Sequence, residues 1–157
     1  KEALLFALLT DSMDEFDRAV SEIPEDLPPE DELRALAIMH TRSMADRPKV
    51  RRAAGAGLSA GQLSESLSPE RYAQFHQRVR RNILRWRRVI ERGNKTGVFD
   101  VDDVGLATTA ILSMCESAGS WFRPGGSLTA EELAAEFGEY VLRIVGYRKG
   151  SQRRRKR

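Results

Sequence analysis

The chain has 157 residues and a mass of 17.7 kDa, the length of one ordinary domain with enough interior for a real core. Hydrophobic residues make up 41% of the chain and charged residues 31%, a balance that argues against a disordered protein and against a membrane-spanning one. The formal net charge is +3, and the single cysteine, Cys115, excludes an internal disulfide and any multi-cysteine metal site. We therefore expect a globular cytoplasmic protein that does not associate with membranes.

The charge is distributed unevenly along the chain. Residues 1–46 contain 12 acidic and 4 basic side chains, residues 47–99 contain 3 acidic and 13 basic ones, and residues 100–147 contain 8 acidic and 2 basic ones. A further 7 basic residues lie within 148–157, which contain no apolar residue, so we expect this tail to be disordered. The informative features are thus a basic middle and a basic end, and the net charge by itself does not indicate nucleic-acid binding.

The pattern of apolar residues predicts an all-α domain, because they recur every three or four positions and no stretch sustains a period of two. The first predicted helix runs from about Lys1 to Val20, and Pro24 follows its end. The second begins near Pro29, a favourable residue for a first helical turn, and ends at Arg47. A short third helix is predicted from Lys49 to about Gly57.

The fourth predicted helix is the longest, with Ser68 as its N-cap, Pro69 in its first turn and Gly93 at its end. Its apolar residues recur at spacings of three and four: Tyr72, Phe75, Val79, Ile83, Trp86 and Ile90. The rest of its surface carries eight arginines: Arg71, Arg78, Arg80, Arg81, Arg85, Arg87, Arg88 and Arg92. We expect these arginines to surround the helix rather than to form one stripe. Three interpretations remain open, namely a solvated surface, contact with an anionic ligand, or ion pairs with the acidic first and second helices.

The fifth and sixth predicted helices are more apolar than one core requires. The fifth begins at Asp102–Asp103, is rich in small residues and ends at Trp121–Phe122. The sixth runs from about Ala130 to Tyr147, after a capping box formed by Thr129 and Glu132. The excess of apolar surface predicts a homodimer in which both helices form a four-helix bundle with the partner's copies. A monomeric bundle is the alternative. The predicted interface residues are Thr109, Ser113, Ser117, Leu133, Phe137, Tyr140, Val141 and Ile144.

The sequence gives little support for catalysis. His40 and His76 lie on different predicted helices, without carboxylates at metal-ligand spacing. Cys115 lies in the middle of an apolar helix, where a buried inert thiol is the simpler interpretation. We therefore predict no enzyme, no metal site and no cofactor.

Four short segments occur in a specific order along the chain: Lys1-Glu2-Ala3-Leu4-Leu5, Asp46-Arg47-Pro48, Gly97-Val98-Phe99, and Trp121-Phe122-Arg123-Pro124-Gly125-Gly126 followed by Leu128, Thr129, Glu131 and Glu132. In this order and spacing they resemble the regulatory domain of TetR/AcrR-family transcriptional regulators. They resemble, in turn, the junction after the helix-turn-helix domain, a helix break, the turn before the dimer helices and the connection between those helices. The resemblance covers about residues 1–147, with Phe122 where tyrosine is more usual.

The resemblance implies a six-helix ligand-binding and dimerisation domain over residues 1–147, with the last two long helices forming the dimer. Residues 1–20 would be the linking helix from an N-terminal DNA-binding domain that is absent from this sequence, so we expect the chain to be part of a longer protein. The function implied is a ligand-responsive transcriptional regulator, with repression as the expected mode. A stand-alone helical ligand-binding or protein-interaction module is the alternative.

The partners implied are operator DNA, bound through the absent domain, and a small-molecule effector. The effector would shift the linking helix between two positions and thereby change operator affinity. Regulators with the same tryptophan-to-glycine connection often sense acyl-CoA thioesters, and the basic middle of the chain suits an acyl-CoA or another apolar or anionic ligand. The residues expected to contact it are His40, Met44, Phe75, Arg78, Val79, Arg85, Trp86, Ile111 and Cys115.

Overall fold

The computed structural model describes residues 2–46 and 64–148, and no part of these two ranges forms a β-strand. They contain a short helical stretch at residues 64–66 and five longer helices: α1 (Glu2–Ser21), α2 (Pro29–Ala45), α3 (Pro69–Thr96), α4 (Val104–Trp121) and α5 (Ala130–Ile144). The all-α prediction is confirmed, and α1 to α5 correspond to the first, second, fourth, fifth and sixth predicted helices. The predicted helix at 49–57 and most of the basic tail lie outside the described residues. None of the described helices combines the length and the apolar character needed to cross a membrane.

The helix starts are set by local sequence, as predicted. Asp103 accepts the Leu106 backbone N–H at 2.9 Å and caps α4. The capping box of α5 is complete, because the Thr129 hydroxyl accepts the Glu132 N–H at 3.1 Å while the Glu132 carboxylate accepts the Thr129 N–H at 2.8 Å. Each of these contacts satisfies a backbone N–H that has no partner within its helix.

Two helix ends differ from the prediction. Helix α3 continues past Gly93 to Thr96 and ends at Gly97, which has a positive φ of 72°. Gly93 is instead a packing position, because a Cβ there would lie 2.0 Å from the Phe99 ring. Helix α5 ends at Ile144 rather than Tyr147, since Gly146, with φ 69°, turns the chain away.

Helix α2 is the centre of the fold and packs most extensively on α5, then on α4 and α3. The main core contains buried side chains from every described long helix, among them Phe16, Leu36, Trp86, Ile111 and Val141. A second, smaller apolar cluster joins the C-terminal ends of α2 and α4 to the start of α5. Helix α2 is therefore the element that contacts all four of the other long helices.

Helix α1 is the least covered of the five. Its buried residues are Phe16 and Val20, both in its C-terminal half, while Leu5 and Leu9 are half-buried and Leu4 is exposed. The N-terminal half of α3 is similarly half-covered. These two half-covered segments lie beside each other and leave space between them.

Candidate functional site

A cavity of about 150 Å³ lies between the N-terminal halves of α1 and α3. Its lining is mostly apolar and includes one charged side chain. The lining residues are Phe6, Thr10 and Met13 from α1, and Gln74, Phe75 and Arg78 from α3.

Four arginines of α3 form a stripe that faces α1 and the loop after it. Arg71, Arg78, Arg85 and Arg92 are each seven residues apart, which is close to two helical turns and keeps them on one side of α3. The expectation that the arginines surround α3 without forming a stripe is therefore wrong for these four. We call them the arginine stripe; the other four arginines of α3 are exposed.

The first member of the arginine stripe ties the starts of α1 and α3 together. The Glu2 carboxylate accepts the Ser68 backbone N–H at 2.8 Å and lies 3.2 Å from Arg71 Nη1. The Ser68 N–H and the Arg71 charge together hold the pKa of Glu2 below its ordinary value. The Arg71 guanidinium also lies over the Phe6 ring, 5.2 Å from its centroid.

The second member, Arg78, both lines the cavity and pairs with α1. Its Nη2 donates to Asp14 Oδ1 at 2.7 Å and to Asp17 Oδ2 at 2.6 Å, and its Nε donates to the same Asp17 oxygen at 3.1 Å. Asn82 donates to the other Asp17 oxygen at 2.9 Å. The middle of α1 is thus held to α3 by charge-assisted hydrogen bonds at the edge of the cavity.

The last two members fasten the end of α1 through a buried carboxylate. Arg85 is buried and donates to Glu32 Oε1 at 3.0 Å and to the Val20 and Ile23 carbonyls at 2.7 Å each. Arg92 donates to the other Glu32 oxygen at 2.6 Å and to two carbonyls of the α1–α2 loop. For the arginine stripe, pairing with the acidic first and second helices is the interpretation that the geometry bears out.

The structure brings two of the nine predicted ligand-contact residues to the cavity, Phe75 and Arg78. Of the other seven, Arg85 is in the Glu32 ion pair, Met44 and Val79 are half-buried, and four lie in the buried interior: His40, Trp86, Ile111 and Cys115. The cavity residues on α1 and Gln74 were not among the predicted ligand contacts. A usable signal was the spacing of Phe6, Thr10 and Met13 by four and three residues, which places them on one face of α1.

Two of the three groups considered for catalysis, His40 and Cys115, lie in apolar surroundings, whereas His76 is exposed. His40 is 6% exposed, and its ring meets Phe16 and Trp86 edge to face, with centroid distances of 5.0 Å and 5.9 Å. Burial lowers the pKa of His40 to about 4 and raises the pKa of Cys115 to about 11. Both groups are therefore uncharged at neutral pH, and the Cys115 thiol is not activated as a nucleophile. Within residues 2–46 and 64–148, no group of three His, Cys, Asp or Glu side chains could hold a metal ion.

The residues predicted for the dimer interface separate into two sets. Leu133, Phe137 and Val141 are buried in the chain's own core. The exposed set, which we call the α4–α5 face, consists of three residues of α4 and two of α5: Thr109, Ser113, Ser117, Tyr140 and Ile144. Two large apolar side chains of α4 are also exposed, Leu106 by 69% and Trp121 by 48%.

Comparison with protein families gives one match that covers most of the chain. Residues 26–145 match the family described as "Tetracyclin repressor-like, C-terminal domain". The chain is also 40% identical over 58 residues to the HTH-type transcriptional repressor KstR2 of Rhodococcus jostii (strain RHA1). That second match covers 36% of this chain and 28% of the repressor, so it spans less than a third of its relative's length.

Solved structures share the fold over nearly the whole chain. A bacterial regulatory protein in the tetR family from Rhodococcus RHA1 superposes with a TM-score of 0.81 and 26% identity, over 94% of this chain and 75% of that one. AibR, solved in complex with isovaleryl coenzyme A and operator DNA, superposes with a TM-score of 0.75 and 20% identity, over 93% and 75% of the two chains. The AibR likeness establishes a common fold.

Proposed function

The chain belongs to the tetracyclin repressor-like C-terminal domain family, and on that basis we propose that it is the sensing and dimerising part of a ligand-responsive transcriptional repressor. The observation that carries the proposal is the family match over residues 26–145, which includes all of α2, α3, α4 and α5. The likeness to the Rhodococcus RHA1 regulator extends the same fold over 94% of the chain and thus supports a regulatory role.

Operator DNA is bound, in this proposal, by a helix-turn-helix domain that is joined to the N-terminal side of α1. The chain spans 75% of the Rhodococcus RHA1 regulator, which leaves a quarter of that protein for other parts. Helix α1 is then the linking helix, residues 1–147 are the regulatory domain, and the protein works in the cytoplasm, where chromosomal DNA is accessible. The proposal assigns the chain no catalytic role, because its family is one of transcriptional regulators.

The α4–α5 face is the proposed dimer surface. Exposed apolar side chains, among them Leu106 and Trp121 on α4 and Tyr140 and Ile144 on α5, accompany small hydroxyl residues there. Small residues allow two helices to approach closely, and apolar side chains gain free energy when a partner covers them. A two-fold axis through this face would assemble four helices, two from each copy.

The effector is proposed to be an acyl-CoA or another apolar or anionic small molecule. AibR, which has the same fold, is solved with isovaleryl coenzyme A, and this supports an acyl-CoA as one candidate. The cavity between α1 and α3 supports the broader class, since apolar walls and one arginine suit a ligand with an apolar body and a negative charge.

Native mass spectrometry of the purified chain tests the sensing and dimerising roles together. We expect a species of twice the 17.7 kDa chain mass, alone or with a retained small molecule. A clean monomer would contradict the dimer and would favour a stand-alone helical ligand-binding or protein-interaction module.

Gene deletion tests the regulatory role. Removing the full coding sequence from the source organism should raise the level of specific transcripts, and reintroducing it should lower them again. Transcript levels that are the same with and without the gene, in the presence and absence of candidate effectors, would contradict the proposal.

A further inference from the structure

We propose that the cavity between α1 and α3 binds a small carboxylate with an apolar body of about six carbon atoms, and that the ligand carboxylate takes the place of Asp14 and Asp17 on Arg78. The inference rests on the proposed sensing function, for which it names the ligand class and the contact that the ligand changes. It follows from the volume of the cavity, its lining and the ion pair at its edge.

The cavity fits a body of this size. Its volume of about 150 Å³ matches that of apolar protein cavities known to bind benzene. Phe6, Met13 and Phe75 provide aromatic and thioether surface, and methionine adapts readily to varied apolar shapes. Thr10 and Gln74 add hydrogen-bonding groups to an otherwise apolar lining. The space therefore suits a six-carbon chain or ring better than a fully polar molecule.

Arg78 gives the site its preference for an anion. It is the one member of the arginine stripe among the residues that line the cavity, and its guanidinium can bind a carboxylate through two parallel hydrogen bonds. By contrast, Arg85 is buried and already donates to Glu32 and to two backbone carbonyls. Among the arginine stripe, Arg78 is therefore the member proposed to pair with a carboxylate in the cavity.

The ligand and the two aspartates compete for the same donors. Both Nε and Nη2 of Arg78 are engaged by Asp17, and Nη2 also by Asp14. The Asp14 and Asp17 side chains are 53% and 37% exposed, so both can return to water when displaced. The Arg78 side chain is 21% exposed, and a ligand that pairs with it and also buries an apolar body gains free energy that the two aspartates do not supply.

Competition at Arg78 connects the cavity to the position of α1. A bound carboxylate removes the Arg78 contacts at the middle of α1, while Arg85 and Glu32 continue to hold the C-terminal end of the helix. Linkage is reciprocal, so whatever weakens the pairing of Arg78 with the aspartates must strengthen carboxylate binding. The direction of this change in carboxylate affinity can be measured without knowing the natural effector.

Isothermal titration calorimetry of the purified chain with hexanoate, compared with hexan-1-ol, tests the proposal. Hexanoate should bind and hexan-1-ol should bind at least about tenfold more weakly, because the alcohol has no charge for Arg78. Arg78→Gln should weaken hexanoate binding by about tenfold or more, and the double variant Asp14→Asn/Asp17→Asn should strengthen it severalfold. Arg81→Gln, which alters an exposed arginine of the same helix, is the matched control and should leave the affinity unchanged.

The double aspartate variant keeps the test decisive, since a gain in affinity cannot come from a misfolded protein. Equal binding of hexanoate and hexan-1-ol, no heat with hexanoate at millimolar concentration, or a loss of affinity in the double variant would each overturn the proposal. Binding of hexanoyl-CoA without binding of hexanoate would also overturn it, yet would leave the proposed regulatory function intact. Results that contradict the proposed regulatory function would be separate from these. They are a monomer by native mass spectrometry and transcript levels that do not change when the gene is deleted.

Discussion

A buried histidine makes the stability of the protein depend on pH. His40 lies between two aromatic rings, its Nδ1 has no hydrogen-bond partner among the described residues, and burial disfavours its positively charged form. Its pKa is about 4 in the folded protein, whereas an unfolded chain has the ordinary value near 6.5. As pH falls from about 6.5 to about 4, the unfolded state binds the proton and the folded state does not, and the free energy of unfolding decreases.

We predict that this group removes about 2 kcal/mol of stability between about pH 7.5 and about pH 5, and about 3 kcal/mol in all once the pH is below 4. Urea denaturation of the wild type and of His40→Phe over this range measures the difference. The variant should lack this component of the pH dependence, while His76→Phe, at the exposed second histidine, should retain it. A wild type and His40→Phe with parallel pH profiles would show that His40 is not the titrating group.

Gly93 is predicted to be required for the packing of Phe99. A methyl group at this position would lie 2.0 Å from the ring of Phe99, which is itself buried. Gly93→Ala should therefore cost about 2 kcal/mol or more in the free energy of unfolding. In a Phe99→Ala background the same substitution should cost nothing or stabilise, because alanine is the better helix former by about 1 kcal/mol. Additive effects in this double-mutant cycle would contradict a direct contact.

The buried carboxylate of Glu32 holds α1, α2 and α3 together. It is paired with the buried Arg85 and with Arg92, so removing it leaves a positive charge in the interior without compensation. We predict that Glu32→Ala costs about 3–5 kcal/mol in the free energy of unfolding, measured by urea denaturation. The neighbouring Asp31, which pairs with Arg34 in an exposed contact, is the matched control, and Asp31→Ala should cost less than about 1 kcal/mol. Equal losses for the two variants would mean that the Glu32 pair is no stronger than a surface one.

The helices could be predicted because their signals are local. Ser68, Asp103 and the pair Thr129 and Glu132 lie within one turn of the helices that they begin, so the sequence alone identifies those starts. The end of α3 could not be identified in this way. Whether Gly93 or Gly97 terminates the helix depends on Phe99 packing against Gly93, a contact that exists only after the chain has turned back.

The same distinction applies to the cavity. Phe75 and Arg78 could be predicted as ligand contacts because they lie on the predicted apolar and basic sides of one helix. The residues that α1 contributes depend on how α1 lies along α3, and helical spacing within one segment does not determine that register. The arginine stripe could have been predicted, because the spacing of seven residues between its members is visible in the sequence.

Helix α1 is tied to α3 near both of its ends and at its middle, and the cavity lies between the first tie and the second. The first tie is the half-buried Glu2 with Ser68 and Arg71, the second is Arg78 with its aspartates, and the third is the buried Arg85. Exposed ion pairs are weak and buried ones are costly to break, so the ties become firmer toward the C-terminal end of α1. A perturbation at the cavity should therefore move the N-terminal half of α1 about a fixed C-terminal end.

Dimer formation is predicted to depend on the α4–α5 face. Ser113 lies in the middle of the exposed side of α4, among small residues that would allow a second copy to approach closely. Ser113→Arg introduces a long charged side chain that a close helix contact cannot accommodate, because burying it without a partner costs several kcal/mol. We expect multi-angle light scattering to give a mass of twice 17.7 kDa for the wild type and 17.7 kDa for this variant. Ala73→Arg, which places the same side chain at an exposed position of α3, should remain a dimer. A Ser113→Arg protein that stays dimeric would exclude this face as the interface, because a contact around Ser113 has no room for an arginine on both copies.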